Sequence, residues 1–317
     1  MPATAKRVHI VVLGSFVVDL AFRTLALPGW GATIIGSDFK LGPGGKGSNQ
    51  AVAAARLGAK VTLITRLGHD TFGEIARQTY AAEGIDSSYA FQTPDCQTGA
   101  ASVVVDQVKG ENAIVVFPGA GFDISTNEIE QARPAISAAA VFLAQLETNL
   151  EAVKYGLKLA RESGVTTILN PAPAAPLPDE IYPLCDYLTP NESEAAALTG
   201  RRVANVSEAE AAADNLLSRG ARNVVITLGG QGAFVKNSEN ALHVRAVDAG
   251  PVVETTGAGD AFNGGFAVAL AEGLEIAAAT HFACAVAGIS VTRPGTAPAM
   301  PRRAEVDRLL KAKCVGR

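Results

Sequence analysis

The sequence of 317 residues contains only four cysteines, Cys96, Cys185, Cys284 and Cys314, and no C-x-x-C pair. Thiols scattered in this way argue against a disulfide framework and against a zinc site, and they favour a reducing compartment. The chain also lacks any apolar run of the roughly 18–20 residues that a membrane span requires. We therefore expect a cytoplasmic protein that has no membrane partner.

The net charge is also small, because 27 Lys and Arg nearly balance 31 Asp and Glu and leave a net charge of −4. A slightly acidic surface does not attract a polyanion, so nucleic acid is not an expected partner. The opening residues, MPATAKRVHIVVLG, enter an apolar run that is too short and wrongly flanked for a signal peptide. With 48% apolar residues, the composition is that of an ordinary globular protein.

Short strand-like runs alternate with helix-like segments along most of the chain. The runs are rich in β-branched residues and lie at 9–14, 61–68, 140–147, 166–173 and 223–232. The helix-like segments lie at 48–58, 73–84, 151–164 and 208–220. This alternation predicts an α/β fold in which a largely parallel sheet has helices on both faces.

Two segments break the alternation, because 17–44 and 96–119 contain strand-like stretches with no helix between them. We interpret them as antiparallel strands of a small β-sheet lid inserted into one domain that spans residues 1–317. The proline-rich stretch 170–180 is expected to be a surface loop, since strand and helix patterns resume directly after it.

The glycine-rich segment 41–50, LGPGGKGSNQ, contains G-x-G-x-x-G. A Rossmann fingerprint is the first βα turn of its unit, and here the small β-sheet lid comes before it, so that interpretation is weak. A Walker A loop is excluded, because Lys40 and Gly47 occupy positions that require glycine and Ser or Thr. A third interpretation is a turn at a helix N-terminus, where backbone N–H groups, Lys46 and Asn49 hold a polyhydroxyl or anionic ligand. A purely structural turn is the remaining alternative.

A second such loop, TTGAGDAFNGG, places Gly257, Ala258 and Gly259 ahead of a helix. Consecutive N–H groups at a helix start form an anion hole suited to the charge on a transferring phosphoryl group. Asp260 follows in the first turn, either as a helix N-cap or as the general base toward a substrate hydroxyl. We expect the helix terminus to lower the pKa of this aspartate, which phosphoryl transfer tolerates.

These two loops and six further segments resemble the ribokinase family of sugar kinases, the PfkB group. The segments appear in the order GGKGSNQAVAAARLGA, LGHDTFGE, AQLETNLE, LNPAPAAPLPDE, LTPNESEAAALTG, VVITLGGQGA, TTGAGDAFNGGF and SVTRPGTAPAMP, over residues 8–312. The resemblance implies ATP-dependent phosphorylation of the 5-hydroxyl of a pentose, D-ribose above all. A 2-deoxyribose kinase, another sugar or nucleoside kinase of this group, and a non-catalytic sugar-binding protein are the alternatives.

The resemblance also implies roles for individual residues. The sugar contacts would be Asp19, Gly45, Lys46, Gly47, Asn49 and Glu147. The catalytic group would be Asp260 as base, with the amides of Gly257, Ala258 and Gly259 around the γ-phosphate. The ATP contacts would be Asn191, Glu194, Thr227, Leu228, Gly229, Gly230, Gly232, Gly259 and Cys284. Glu194 would organise Mg²⁺ through water, a ligand set that this ion accepts.

Two positions depart from the family pattern. Val17 stands where an asparagine usually bonds a sugar hydroxyl, and a hydroxyl left unpaired there costs about 1–3 kcal/mol. Deoxyribose therefore competes with ribose as the predicted substrate. Glu254 replaces the usual aspartate of a K⁺ site, whose other ligands would be Thr256, Ser290, Arg293, Gly295 and Ala299. We expect K⁺ activation to persist with altered affinity, and a homodimer to form through the lid.

Overall fold

The computed structural model describes residues 8–108 and 112–315. In this part of the chain thirteen strands occur: β1 (His9–Leu13), β2 (Val17–Thr24), β3 (Asp38–Gly44), β4 (Lys60–Gly68), β5 (Asp86–Thr93), β6 (Thr98–Asp106), β7 (Asn112–Gly119), β8 (Val141–Ala144), β9 (Thr166–Leu169), β10 (Tyr187–Leu188), β11 (Asn223–Thr227), β12 (Ala233–Asn237) and β13 (Ala241–Val244).

The described residues also form ten α-helices: α1 (Lys46–Arg56), α2 (Thr71–Glu83), α3 (Thr126–Gln131), α4 (Arg133–Ser137), α5 (Leu150–Glu162), α6 (Glu192–Thr199), α7 (Val206–Ser218), α8 (Ala258–Ala271), α9 (Ile276–Ser290) and α10 (Arg303–Val315). Capping side chains define several starts. The Asp70 carboxylate, for example, accepts the backbone N–H of Gly73 at 2.8 Å, which satisfies a free donor of the first turn of α2.

Nine strands form the larger sheet, in the spatial order β13-β12-β11-β10-β9-β8-β1-β4-β5. The seven strands from β11 to β5 are parallel, and β12 and β13 add antiparallel to one edge. In the central strand β1, Ile10 pairs with Val61 of β4 and with Val141 of β8. The predicted parallel sheet is therefore confirmed.

Two hydrophobic cores lie on opposite faces of this sheet. Ile10 and Val12 of β1 belong to one core, which α1, α8 and α9 cover. Val11 and Leu13 belong to the other, which α5, α6 and α7 cover. Successive side chains of a strand point to opposite faces, and a buried parallel strand is apolar on both. Helices on both faces are thus confirmed.

The lid segments form a separate sheet of four strands, in the order β3-β2-β6-β7. The antiparallel pairing expected here holds for β2–β3 and β6–β7, but the central pair β2–β6 is parallel. The chain between β2 and β6 passes through α1, β4, α2 and β5, and a crossover of that length permits a parallel pair.

The described cysteines form no disulfide, and the described helices include no candidate membrane span. Cys96, Cys185 and Cys284 are free thiols. Among the described helices none is long and apolar enough to cross a bilayer. The first seven residues, on which the signal-peptide prediction partly rests, lie outside the described residues.

Candidate active site

Asp260 is a buried carboxylate in the first turn of α8, with 6% of its surface exposed. Its Oδ2 accepts a hydrogen bond from Nδ2 of Asn49 at 2.9 Å, and its Oδ1 accepts one from Nε2 of Gln50 at 3.0 Å. The N-cap of α8 is Gly257. The alternative that Asp260 caps this helix is therefore wrong, and its carboxylate is held by side chains of α1.

Gly257 gives the start of α8 its shape. Its φ of 80° lies in the left-handed region, which side chains other than glycine rarely adopt. The helix then begins at Ala258, whose N–H donates to the carbonyl of Thr255 at 3.1 Å, and the next N–H groups of its first turn, from Gly259 onward, lie beside Asp260. A helix N-terminus next to a carboxylate and a nearby lysine is suited to bind a phosphoryl group.

The N-terminus of α1 lies against the carboxyl ends of β1 and β8. Glu147, after β8, accepts the backbone N–H of Lys46 at 2.8 Å and the hydroxyl of Ser15 through the same Oε2. Gly45 is the N-cap of α1, and Gly47 and Asn49 are buried in its first turn. The predicted sugar residues of this loop are thus brought together, and Ser15 joins them without having been predicted.

Electrostatics in the site centre on Lys46. Burial alone would lower the pKa of its ammonium, but the carboxylates of Asp260, Glu147 and Glu194 outweigh it and raise that pKa. The pKa of Asp260 is itself raised by burial, against the opposing effects of Lys46 and of the two amides. The expectation of a lowered pKa is therefore wrong, because desolvation of the carboxylate outweighs the lysine and the two amides.

Asp19 reaches the site from β2 of the lid. Its carboxylate packs over Gly44 of β3, where an added Cβ would lie 2.4 Å from Oδ2. Burial raises the pKa of Asp19 to about 6, although a hydrogen bond from Thr296 opposes the shift. Nearby carboxylates, that of Glu147 first, raise it further. This acid therefore titrates close to neutral pH.

Val17, the first residue of β2, is 6% exposed. It pairs with Gly44 of β3 and with Gly99 of β6. A Cβ added to Gly99 would lie 2.7 Å from Cγ1 of Val17, so the valine side chain is in close contact with the lid strand. At this position the site offers an apolar surface and no side-chain hydrogen-bond donor.

The residues predicted for the nucleotide surround the carboxyl ends of β10 and β11. Asn191 and Glu194 form a capping box at the start of α6: the Asn191 side chain accepts the N–H of Glu194 at 2.8 Å, and Glu194 accepts the N–H of Asn191 at 2.9 Å. Thr227 pairs with Asn191 through an isolated parallel bridge. Burial raises the pKa of Glu194, with Asn191 and Lys46 acting against it.

One cavity of about 130 Å³ joins the two halves of the site. The predicted residues that line it are Lys46, Asn191, Glu194, Thr227, Gly257, Gly259 and Asp260. A single space therefore connects the proposed base, the anion hole and the nucleotide side, which a direct phosphoryl transfer requires.

The other residues predicted to contact the nucleotide lie outside the lining of this cavity. Gly229 and Gly230 are in a short 3-10 turn after β11, and Gly232 ends it. The side chain of Leu228 is buried in the core, so only its backbone can meet a ligand. Cys284 of α9 lies in the opposite core, outside the cavity lining, and burial raises its thiol pKa to about 12.

The predicted cation residues lie in two adjacent loops. Glu254 accepts the backbone N–H of Gly295 through Oε2 at 2.9 Å, which ties the segment before α8 to the loop after α9. The Arg293 guanidinium pairs with Glu305. The other three predicted ligands are the exposed Thr256 and the buried Ser290 and Ala299.

Further polar side chains, which the sequence did not identify, surround Asp260. Gln50 also donates to Oδ1 of Asn170 at 3.1 Å, and Asn170 donates to the carbonyl of Thr189 at 2.9 Å. Thr189 donates to Asn263, which donates to the carbonyl of Gly259. Asn170 and Thr189 follow the carboxyl ends of β9 and β10, the edge at which α/β sheets bind ligands, and that position could have identified them.

Comparison with known proteins places this arrangement in a family. A model of the pfkB family of carbohydrate kinases matches residues 7–303. The chain belongs to this family. It is 39% identical over 305 residues to the ribokinase of Haemophilus influenzae, covering 96% of this chain and 99% of that protein. It is 36% identical over 293 residues to the deoxyribokinase of Salmonella typhi, covering 92% and 95%.

Among solved structures, the ribokinase of Arabidopsis thaliana complexed with ribose and ATP has a TM-score of 0.88 and 30% identity to the chain. The match covers 97% of this chain and 99% of that one. The predicted pfkB family membership and fold class are confirmed, and the protein is a carbohydrate kinase by family. The roles of the individual residues stay predictions, and seven of the predicted residues line one cavity.

Proposed function

We propose that the protein transfers the γ-phosphoryl group of ATP to the 5-hydroxyl of D-ribose. The observation that carries this proposal is Asp260, a buried carboxylate held by Asn49 and Gln50 at the start of α8. Relatives named ribokinase, including the proteins of Haemophilus influenzae and mouse, are 39% identical to the chain. The Arabidopsis relative binds ribose and ATP.

In the proposed mechanism Asp260 accepts the proton of the attacking hydroxyl. The backbone N–H groups of Gly257 and Gly259, with that of Ala258 once it is released from the carbonyl of Thr255, stabilise the transferring phosphoryl group. Burial raises the pKa of Asp260 and makes it a stronger base. Lys46, among three carboxylates, supplies a positive charge to the same cavity. Positioning and electrostatic stabilisation supply most of the rate in reactions of this kind.

The sugar is proposed to lie between α1 and the lid. Oδ1 of Asn49 is buried and accepts no hydrogen bond from the described part of the chain, while Nδ2 of the same side chain holds Asp260. A buried acceptor without a partner is costly, and a sugar hydroxyl would satisfy it. Asp19 faces the same region from β2 and would accept further hydroxyls.

The second candidate substrate is 2-deoxyribose. Val17 offers no donor or acceptor beside the sugar site, and a relative at 36% identity is named deoxyribokinase. A site that lacks a hydrogen-bonding partner does not reject an analogue that lacks the corresponding hydroxyl. We expect ribose to be preferred, with a smaller margin over deoxyribose than an asparagine at this position would give.

Three ligands complete the proposal. ATP would lie along Asn191 and Thr227, at the nucleotide side of the cavity. Glu194 fits a water-mediated Mg²⁺ site, because each oxygen accepts one hydrogen bond from Asn191 and keeps a further lone pair. Mg²⁺ supplies charge neutralisation on the phosphates when bound.

K⁺ is the third ligand. The carbonyl oxygens of Arg293 and Gly295 accept no backbone hydrogen bond within residues 8–108 and 112–315, so they remain available beside Glu254. Hard oxygen donors of this kind suit an alkali cation. Glu254, one methylene longer than aspartate, would fix the loop through its bond to Gly295.

The protein is further proposed to be cytoplasmic, to form one domain with an inserted lid, and to pair through that lid as a homodimer. β3 and β7 are the outer strands of the lid sheet. Their exposed apolar residues include Phe39, Leu41, Ile114, Val115, Val116 and Phe117. Unpaired strand edges of this composition tend to be covered by a second chain.

A coupled ADP-release assay over ribose, 2-deoxyribose, other pentoses, hexoses and nucleosides tests the function. We expect kcat/KM to be highest for ribose. A value at least tenfold above that of deoxyribose would eliminate deoxyribose as the substrate, and a higher value for deoxyribose would replace ribose by it. Asp260→Asn should lower kcat by about 10²–10⁴-fold, the range of general-base catalysis. Turnover of no substrate by the unaltered protein would favour a sugar-binding protein, and an unchanged rate in Asp260→Asn would overturn the mechanism.

A further inference from the structure

Six residues form a closed ring of hydrogen bonds that begins and ends at the peptide between Gly259 and Asp260. Gln50 donates to Asp260 at 3.0 Å and to Asn170 at 3.1 Å. Asn170 donates to the carbonyl of Thr189 at 2.9 Å, and Thr189 donates to Oδ1 of Asn263 at 2.6 Å. Asn263 closes the ring on the carbonyl of Gly259 at 2.9 Å.

Every side chain of the ring is buried, and Gln50 and Asn263 are at most 1% exposed. An amide buried at this depth needs partners for both its donor and its acceptor. Gln145, also fully buried, donates from Nε2 to Oε1 of Gln50 at 2.7 Å. This bond sets the orientation of the Gln50 amide, so its NH₂ group must face Asp260 and Asn170.

The carboxylate of Asp260 is consequently fixed from two directions. Asn49 holds Oδ2 and Gln50 holds Oδ1, so the carboxylate cannot rotate without breaking a charge-assisted hydrogen bond. At the other end of the ring, Asn263 holds the carbonyl of Gly259, which belongs to the proposed anion hole. The ring therefore links the proposed base to the proposed phosphoryl site.

We propose that Gln50 is a positioning residue for the phosphoryl transfer, which orients the Asp260 carboxylate and connects it through the ring to the anion hole. This inference rests on the proposed function of Asp260 as base. Sugar contact is not required of Gln50, because its amide is used by Asp260, Asn170 and Gln145. Asn49 and Lys46 are left to bind the substrate.

Other charged groups also face Asp260 and must be considered in any pH experiment. Lys46 on α1 favours the ionised carboxylate, whereas Glu147 after β8 opposes it. Glu194 on α6 and Asp19 on β2 interact with Asp260 through their own negative charge. These groups remain in a Gln50 variant, so a change in the pH profile reports the lost hydrogen bond.

Gln50→Met retains the length of the side chain and removes the donor. We expect kcat at neutral pH to fall by about tenfold or more and the acid limb of kcat/KM to move up by about one to two pH units, because a hydrogen bond that favours the ionised base is lost. The KM for the sugar should change less than kcat. Gln50→Glu places a second carboxyl beside Asp260, and it should raise the acid limb further.

Thr167→Val is the control, since it removes a fully buried side-chain donor, which bonds the carbonyl of Leu184 at 2.6 Å, at a position outside the ring. We expect both variants to lose thermal stability, and only the Gln50→Met variant to move the acid limb. If the two variants show the same pH profile, the role of Gln50 is purely structural. If the unaltered protein phosphorylates no sugar, the proposed function fails first; a normal kcat and pH profile in Gln50→Met and Gln50→Glu overturns this inference alone.

Discussion

Thr296 and Asp19 meet across 277 positions of sequence, where the threonine hydroxyl lies 3.3 Å from Oδ2 of the aspartate. The same hydroxyl lies 3.2 Å from the carbonyl of Pro43 on β3. Thr296 belongs to the loop that carries the proposed cation ligand Gly295, and Asp19 belongs to the lid. A single side chain therefore connects the lid to the loop beside the anion hole.

The pKa of Asp19, raised to about 6 by burial, predicts a pH-dependent sugar affinity. Above this pH the carboxylate is ionised and accepts strong hydrogen bonds from sugar hydroxyls; below it the neutral acid binds them less well. We expect KM for ribose to rise on the order of tenfold as the pH falls from about 8 to 5. Steady-state kinetics across this range measure it, and a KM that does not change with pH contradicts it.

Thr296→Val tests the connection directly. The hydrogen bond from Thr296 lowers the pKa of Asp19, so its loss should move the rise in KM to higher pH, by roughly half to one unit. Thr292→Val is the matched control, because its hydroxyl donates to the carbonyl of Ile289 at 2.7 Å and does not reach Asp19. The same KM profile in both variants would show that Thr296 does not act on Asp19.

Ionisation of Asp19, which should strengthen sugar binding, should lower the stability of the ligand-free protein. Because the folded state raises this pKa, the folded protein binds a proton more tightly than the unfolded chain, and ionised Asp19 destabilises the fold above pH 6. Asp19→Asn should therefore raise Tm at pH 8, and the gain should shrink as the pH falls below 6 and vanish only below the ordinary aspartate value of about 3.9. Differential scanning calorimetry between pH 8 and pH 4 measures it; a lower Tm at pH 8 would refute the expectation.

Replacement of Gly257 and of Gly259 by alanine should have different effects on stability. Gly257→Ala forces alanine to a φ of 80° and places its Cβ 3.3 Å from Cα of Thr296, so a loss of about 1–2 kcal/mol in unfolding free energy is expected. A Cβ at Gly259 meets nothing within 4 Å, so Gly259→Ala should keep or gain stability.

We expect activity to fall in both variants, because both glycines belong to the proposed anion hole and the open space at Gly259 is where we propose that the phosphoryl group lies. We expect Gly259→Ala to lower kcat by about tenfold or more while Tm is kept, the opposite of what a purely structural turn predicts. Thermal melts and ADP-release rates on the same preparations separate the two effects. Normal kcat in Gly259→Ala would remove the anion hole from this position.

The sequence predicted which residues meet in this site but not what holds them. The glycine loops and Asp260 were identifiable because glycine and a nearby acid at a helix start have a local pattern. Gln50, Asn170 and Asn263 were not, because their partners are distant in sequence and a buried amide resembles any other polar residue until its neighbours are known. The raised pKa of Asp260 was missed for the same reason, since desolvation depends on tertiary packing.

Fold prediction had a similar limit. Alternating strands and helices determined the parallel sheet, but the parallel pair β2–β6 in the lid could not be read from two segments that each look like a hairpin. Register between strands separated by several elements is set by packing, which the local pattern does not encode.

Monovalent cation dependence tests the loops around Glu254. We expect kcat/KM to be several-fold higher in K⁺ than in tetramethylammonium, a cation too large for a site of backbone carbonyls. Glu254→Gln should raise the K⁺ concentration for half-maximal activity, because a neutral amide attracts the cation less. Glu239→Gln, at an exposed turn between β12 and β13, is the control. Equal rates in the two salts would remove K⁺ from the proposal.

The apolar lid surface predicts the oligomeric state. Val115 on the outer strand β7 is 73% exposed, and a charge there should prevent a second lid from covering it. We expect sedimentation to give twice 32.5 kDa for the unaltered protein and 32.5 kDa for Val115→Asp. Val252→Asp, the same change at a valine that is 66% exposed outside the lid, should remain dimeric. A monomeric unaltered protein would contradict the predicted dimer. A dimer that Val115→Asp leaves intact would place the interface outside the lid.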